Sequence, residues 1–213
     1  PVDVFYNDAT YDIQYGNIRR ATHKNTSWDV ARFEVCAHKW ADVSEAGYGV
    51  SLLNDCKYGH SIDEHSMALT LLKSSILPNP DADQETHRFT YSLLPHMGGW
   101  REGGTIDAAY RLNAPVFACA TEGEGALPPF AAVDAPDVLV EAVKGSQAGD
   151  ATVVRVYECF GRRASGVKLK LGFAPASAEE CDLLERPIGT SALSGDEITF
   201  DVKPYEIKSF LIR

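Results

Sequence analysis

The sequence predicts an all-β protein, an antiparallel β-sandwich followed by a smaller C-terminal β-sandwich. Three observations point there. Apolar and polar residues alternate with a period of two over most of the chain, the spacing of strands with one buried face. A helical pattern is confined to one short stretch, residues 105–113. Clusters of Gly, Pro, Asn and Asp punctuate the alternating segments at intervals suited to antiparallel turns.

The elements follow in order. Over residues 31–38, Ala31, Phe33, Val35 and Ala37 oppose Arg32, Glu34 and His38, which predicts a strand with its apolar set buried. The next stretch, Tyr48-Gly49-Val50-Ser51-Leu52-Leu53-Asn54-Asp55-Cys56-Lys57-Tyr58-Gly59-His60, begins as an apolar strand and breaks into a loop of polar side chains. A rigid strand delivering a polar loop is a common way for β proteins to present binding groups. An Asn-Asp pair followed by Gly is equally ordinary turn chemistry. Residues 67–72 alternate again, and Phe89, Tyr91 and Leu93 oppose Arg88, Thr90 and Ser92. Residues 74–85, with Pro78 and Pro80, read as a long loop between strands. Gly98-Gly99-Trp100-Arg101-Glu102-Gly103-Gly104 lacks phosphate-binding spacing and reads as a hinge around one anchoring Trp. Residues 105–113 read as a two-turn helix capped by Thr105 and stopped by Asn113-Ala114-Pro115.

Residues 121–129 are richer in Gly and Pro than their surroundings, which places the domain boundary there: a β-sandwich over residues 1–120, a linker, and a small sandwich over 130–213. Beyond the linker, residues 138–144, 152–159, 167–173, 198–202 and 205–212 predict five strands. Turns are expected at Ala148-Gly149-Asp150, Ala164-Ser165-Gly166 and Ser194-Gly195-Asp196.

The totals exclude several classes of function. Thirty acidic against 20 basic residues give a net charge of −10, which disfavours a partner bound through phosphates; no nucleic acid is expected. No apolar run has membrane-spanning length, so no membrane partner is expected. The chain opens Pro1-Val2-Asp3-Val4, without an initiator Met or a secretory signal, and the expectation is a processed chain or an excised fragment. Five scattered cysteines without a CxxC pair read as small buried residues in a reducing compartment, the cytoplasm. Asn25-Thr26-Ser27 is a formal glycosylation sequon, discounted for want of an export signal.

Chemistry-bearing motifs are sparse. His60-Ser61-Ile62-Asp63-Glu64-His65 is the densest histidine cluster, yet it lacks the HExxH spacing of a zinc helix. There is no GxSxG elbow and no P-loop. Nothing in the sequence ties two carboxylates together for glycosidic acid–base work. The candidate ligand-binding residues are therefore Asn54, Asp55, Tyr58 and His60, with no catalytic residue and no metal ligand.

Longer words in the chain narrow this. Phe5-Tyr6 through Gly16, the run Thr22-His23-Lys24-Asn25-Thr26-Ser27-Trp28-Asp29 and residues 31–45 resemble the α-mannosidases of glycoside hydrolase family 38. So do residues 47–60, Leu71-Leu72-Lys73-Ser74, Pro78-Asn79-Pro80-Asp81-Ala82-Asp83-Gln84, Phe89-Thr90-Tyr91-Ser92-Leu93-Leu94-Pro95-His96 and Leu112-Asn113-Ala114-Pro115. The likeness spans residues 1 to about 118, is closest to the cytosolic and bacterial branch, and loosens afterwards until Lys203-Pro204-Tyr205-Glu206-Ile207-Lys208-Ser209-Phe210. It implies a C-terminal β region, part of a large supersandwich, of an enzyme that hydrolyses terminal α-mannosides with retention. In that family zinc and a nucleophilic aspartate sit in an N-terminal α/β domain. None of their motifs matches a position here, so the resemblance implies a chain inactive by itself, with no cofactor of its own. Zinc is expected in the catalytic domain. The implied partners are that domain and an α-mannoside or oligosaccharide. The resemblance also implies a β domain packed near the active-site mouth, which puts the 54–60 loop in reach of substrate. The alternative is an independent carbohydrate- or protein-binding sandwich, with an exposed Trp40 or Trp100 as a sugar platform.

Overall fold

The structure is a computed structural model of the chain that describes residues 1–64, 66–120, 125 and 127–213. It divides into two compact units, Pro1–Cys119 and Ala120–Arg213. Of the joint expected at residues 121–129, residues 121–124 and 126 lie outside the described residues, as does His65.

The first unit contains β1 (Asp8–Ile13), β2 (Gly16–Ala21), α1 (Ser27–Ala31), β3 (Val35–Cys36), β4 (Trp40–Ser44), β5 (Tyr48–Asn54), β6 (Gly59–Asp63), β7 (Ser66–Thr70), β8 (Tyr91–Met97) and α2 (Thr105–Asn113). Its strands form a five-stranded sheet, β2-β1-β4-β5-β8, and a three-stranded sheet, β3-β6-β7, paired antiparallel throughout. The register fixes two faces on the larger sheet. Tyr11 pairs with Ala41, Ala41 with Leu52 and Val43 with Val50, and this face packs on Val35, Ile62 and Met67 of the smaller sheet. The opposite face carries Trp40, Asp42, Ser51, Leu53 and His96, and α2 packs over β4 and β5. Trp40 and Trp100, both buried, meet there with ring centroids 5.1 Å apart.

The strand expected over residues 31–38 is corrected. Thr26 caps α1: its hydroxyl accepts from the Asp29 backbone N–H at 3.2 Å, and the Asp29 carboxylate accepts from the Thr26 N–H at 3.1 Å. This capping box starts a helical turn where alternation alone suggested extension. Phe33 is left 66 % exposed, and only Val35 and Ala37 of the apolar set reach the core. The strand over 67–72 stops at Thr70. Helix α2 has the expected span with a different cap: Gly104, in the left-handed region at φ 68°, occupies the N-cap, and Thr105 spends its hydroxyl on Ser51. The glycine-rich run before it is a hydrogen-bonded turn, tied through Gly98 N to Gly47 O, Gly103 N to Gly99 O and Gly104 N to Arg101 O, rather than a hinge.

The second unit contains β9 (Ala131–Val133), β10 (Val138–Gly145), β11 (Thr152–Glu158), β12 (Ala164–Leu171), β13 (Ala178–Cys181), β14 (Pro187–Thr190), β15 (Ala192–Ser194), β16 (Glu197–Val202) and β17 (Ile207–Ile212). Two antiparallel sheets, β10-β11-β17-β13-β14 and β15-β16-β12-β9, close on a core of Val154, Val156, Leu169, Ile198, Phe200 and Phe210. All five expected strands are present; β9, β13, β14 and β15, each of three or four residues, are too short to show a period. The turn expected at Ala164-Ser165-Gly166 is a β-bulge at the start of β12, with Gly166 at φ 66° and its N–H bonded to Asp201.

Glu158 is the buried anchor of this unit. One carboxylate oxygen accepts from Phe160 N, the other from Gly161 N and Tyr205 N, at 2.8–2.9 Å. Replacing it orphans three backbone donors at once. Glu158→Ala is expected to lower the unfolding free energy by about 3 kcal/mol, and Glu158→Gln by less, since one amide oxygen still accepts. Denaturant midpoints check this; an Ala variant as stable as the wild type contradicts it. His60, buried in β6, supplies a second test. Desolvation holds its pKa below the ordinary 6.5, outweighing the bond between its Nδ1 and Tyr58 O. The unfolded chain therefore takes up the proton first. Stability is fully present above about pH 6.5 and falls as pH drops below it, by up to about 1.4 kcal/mol per pH unit for one proton. His60→Gln should flatten that slope in a pH series of denaturation curves, and an unchanged slope contradicts the burial argument.

Candidate functional site

The loop leaving β5 is built by side chain–backbone bonds. Asn54 is fully buried: its Oδ1 accepts from Lys57 N at 2.6 Å and its Nδ2 donates to His38 O at 2.8 Å, folding the chain back on itself. Asp55 fastens the loop to the chain entering β8, accepting from Thr90 N at 2.9 Å while its own N–H donates to Thr90 O. A hydrogen bond from the Cys56 thiol, then the one from Thr90 N, lower the Asp55 carboxyl below its ordinary range. Tyr58 is 53 % exposed and rests edge-on against the His38 ring at 5.4 Å. His60 is enclosed, and its Nε2 has no hydrogen-bond partner among the described residues.

The structure thus separates the four expected residues. Asp55 and Tyr58 present a carboxylate and a phenol at the loop surface, whereas Asn54 and His60 are enclosed and shape the loop from beneath. A carboxylate accepts hydrogen bonds and a phenol both donates and accepts, which suits hydroxyl-rich ligands.

A denser polar cluster lies on the helix-covered face of the larger sheet, and the sequence reading missed it. Asp42 accepts from Ser44 Oγ at 2.5 Å, from Ser51 Oγ at 2.7 Å and from His96 Nε2 at 2.8 Å. Ser51 in turn lies 2.6 Å from Thr105 Oγ1 and 3.2 Å from His96 Nε2. Asp42, Ser51, His96 and Thr105 are all buried. The available signal was a polar residue inside apolar strands: Asp42 between Ala41 and Val43, Ser51 between Val50 and Leu52. Two glycines make room for the imidazole. A Cβ on Gly49 would collide with His96 Cε1 and Ser44 Oγ, and one on Gly103 with the other side of the ring.

Serine, histidine and aspartate together suggest a nucleophile triad, but the geometry is wrong for one. A triad imidazole uses one nitrogen for the carboxylate and the other for the nucleophile. Here Ser51 and Asp42 meet the same Nε2, and His96 Nδ1 has no hydrogen-bond partner among the described residues. The cluster holds strands together; it has no group poised to attack.

It does not fit zinc either. No three His, Cys, Asp or Glu side chains converge among the described residues, and the Asp42–His96 pair spends its lone pairs and N–H on hydroxyls and on each other. A cleft of about 210 Å³ beside the cluster is lined by Tyr6, Asp8, Arg19, Ser44, Glu45 and Arg101 among others. The Trp platform expected of an independent sugar-binding module is absent at Trp40 and Trp100, since both are buried. No helix among the described residues is long and apolar enough to cross a membrane.

Comparison with known proteins gives this arrangement a family. Residues 1–81 match the glycosyl hydrolases family 38 C-terminal domain, and residues 137–210 match the family 38 C-terminal beta sandwich domain. The chain is 40 % identical over its whole length to alpha-mannosidase 2C1 of Homo sapiens, and 39 % identical over 95 % of its length to alpha-mannosidase G of Dictyostelium discoideum. An alpha-mannosidase of Saccharomyces cerevisiae is 48 % identical over 53 % of the chain and is covered over 10 % of its own length. The chain spans 21 % and 19 % of the length of the first two relatives, about a fifth. A crystal structure of an alpha-mannosidase from Enterococcus faecalis V583 superposes on all of this chain and 25 % of its own, with a TM-score of 0.77 at 19 % identity, which shows the shared fold. The chain belongs to glycosyl hydrolase family 38, as a C-terminal β region of its α-mannosidases.

Proposed function

We propose that these residues are the non-catalytic C-terminal β region of a zinc-dependent α-mannosidase that releases terminal α-mannose, and that they support its catalytic domain. The identity of about 40 % to an α-mannosidase along the whole chain carries this reading. Zinc and the nucleophile belong, in this reading, to the N-terminal domain, because the polar clusters described above have no donor set free for a metal. Of the five cysteines expected to be buried only Cys159 and Cys181 are, because Cys36, Cys56 and Cys119 lie outside the packed cores. All five are free thiols, which fits a reducing compartment, and the cytoplasm is the proposed location.

The surface of the 54–60 loop is proposed to complete the wall of the sugar pocket. Asp55 and Tyr58 would touch mannoside hydroxyls, while Asn54 and His60 act as positioning residues that hold the loop. Asp55 arrives ionised, with one of its oxygens committed to Thr90 N.

Kinetics of the full-length protein on an aryl α-mannoside test both levels. Tyr58→Phe keeps the ring against His38 and removes only the hydroxyl; Asp55→Asn keeps an acceptor for Thr90 N and removes the charge. Each is expected to lower kcat/KM tenfold or more, about 1.4 kcal/mol per tenfold of transition-state stabilisation, with little change in melting temperature. Residues 1–213 alone are expected to show no turnover with added zinc. Wild-type kinetics in both variants would leave the loop a structural turn, and turnover by residues 1–213 alone would overturn the non-catalytic assignment.

A further inference from the structure

We propose that the apolar trough between β5, β7 and β8 seats a β-strand from the N-terminal part of the family 38 polypeptide, added to the open edge of β7. The proposal rests on the family reading, which supplies the occupant: the chain spans about a fifth of its relatives, and both matching family models are C-terminal ones.

The width of the two sheets in the first unit sets up the trough. Five strands face three, and at about 4.8 Å per strand the smaller sheet falls about 10 Å short. The shortfall lies on the β8 side. There β8 continues the apolar face of β5, with Leu93 opposite Leu52 and Tyr91 opposite Asn54, but no partner sheet covers it among the described residues. Tyr91 is 56 % exposed, Leu93 60 % and Met97 76 %. Alternation over residues 89–93 correctly marked an apolar face, and the expectation that it is buried fails because the smaller sheet ends at β7.

The trough has a volume of about 280 Å³ and is lined by Leu52, Met67, Leu69, Leu71, Tyr91 and Leu93. None carries a charge. Met67, Leu69 and Leu71 recur every second residue on one wall, Tyr91 and Leu93 on the other, so the lining repeats at strand spacing. Meanwhile β7 is paired to β6 on one side only among the described residues. Its other edge presents backbone N–H and C=O groups that a buried position would need satisfied. A helix laid in the trough would cover the leucines and leave that edge unpaired. A strand answers both demands, pairing with β7 and placing alternate apolar side chains over β8. The side-chain chemistry of the occupant follows: apolar at every second position on the inward face.

Hydrogen–deuterium exchange on the full-length protein tests this without reference to zinc or substrate, so its outcome is independent of whether the enzyme proves to be a mannosidase. The β7 amides not bonded to β6 are expected to exchange at least about 100-fold more slowly than free peptide, at every protein concentration. In the same protein a Leu93→Cys thiol is expected to resist maleimide. Free-peptide exchange at those amides overturns the proposal. So does a labelled Leu93→Cys in a folded variant. Slow labelling with an unprotected β7 edge points to a helix or loop and likewise overturns it. Protection lost on dilution to the monomer assigns the trough to a second copy, against the proposal. If Leu93→Cys fails to fold, the exchange measurement on the unaltered protein decides alone.

Discussion

The carboxylate of Asp42 is the constraint on which the first unit depends. It is buried, and it is made tolerable there by three hydrogen bonds from Ser44, Ser51 and His96. Those donors come from β4, β5 and β8, and Thr105 brings the start of α2 into the same cluster through Ser51. A buried charge without such partners costs several kcal/mol, so the strands and the helix must arrive together or not at all. The surrounding residues accommodate it. Thr105 gives up the helix cap to bond Ser51, Gly104 takes the cap in a left-handed conformation, and Gly49 and Gly103 give up side chains so that the imidazole fits. Glu158 plays a related part in the second unit, where one carboxylate gathers three backbone donors from two turns.

With that hub on one face, the larger sheet has a division of labour. Its helix-covered face is closed by polar bonds and by the Trp40–Trp100 pair. Its other face is closed over β1, β4 and β5 by the smaller sheet and left open over β8. The 54–60 loop is attached at the end of β5, and Asp55 pins it to Thr90, just before β8 begins. A loop so fixed keeps its shape while offering Asp55 and Tyr58 to solvent.

The second unit was the more legible part of the sequence. Val167, Leu169, Leu171 and Ile198, Phe200, Val202 alternate cleanly because each strand has one wet face, and all of these residues are buried. Its short strands stayed hidden: Ala178–Cys181 is held by pairing to β17 rather than by apolar alternation. In the first unit alternation misled at residues 31–33, where the local bonds of Thr26 and Asp29 decide the conformation. At β8 it identified the face and could not report that the covering sheet is narrow. The candidate loop was legible only in part. A polar loop after an apolar strand announced itself, but residue types alone did not separate the Asn that builds the turn from the Asp and Tyr that it displays. The Asp42 cluster joins residues up to 63 positions apart, Asp42 to Thr105, and only the register brings them together.

The first unit is held by a structural cluster with the look of catalytic machinery and none of its geometry. Asp42→Asn in the full-length protein probes that role, because the amide turns a donor toward hydroxyls and an imidazole that all need an acceptor. The expected result is a melting temperature lower by several degrees, with kcat on an aryl α-mannoside within about threefold of wild type below both transitions. An unchanged melting temperature with kcat reduced a hundredfold would contradict it, and would make Asp42, Ser51 and His96 part of the chemistry.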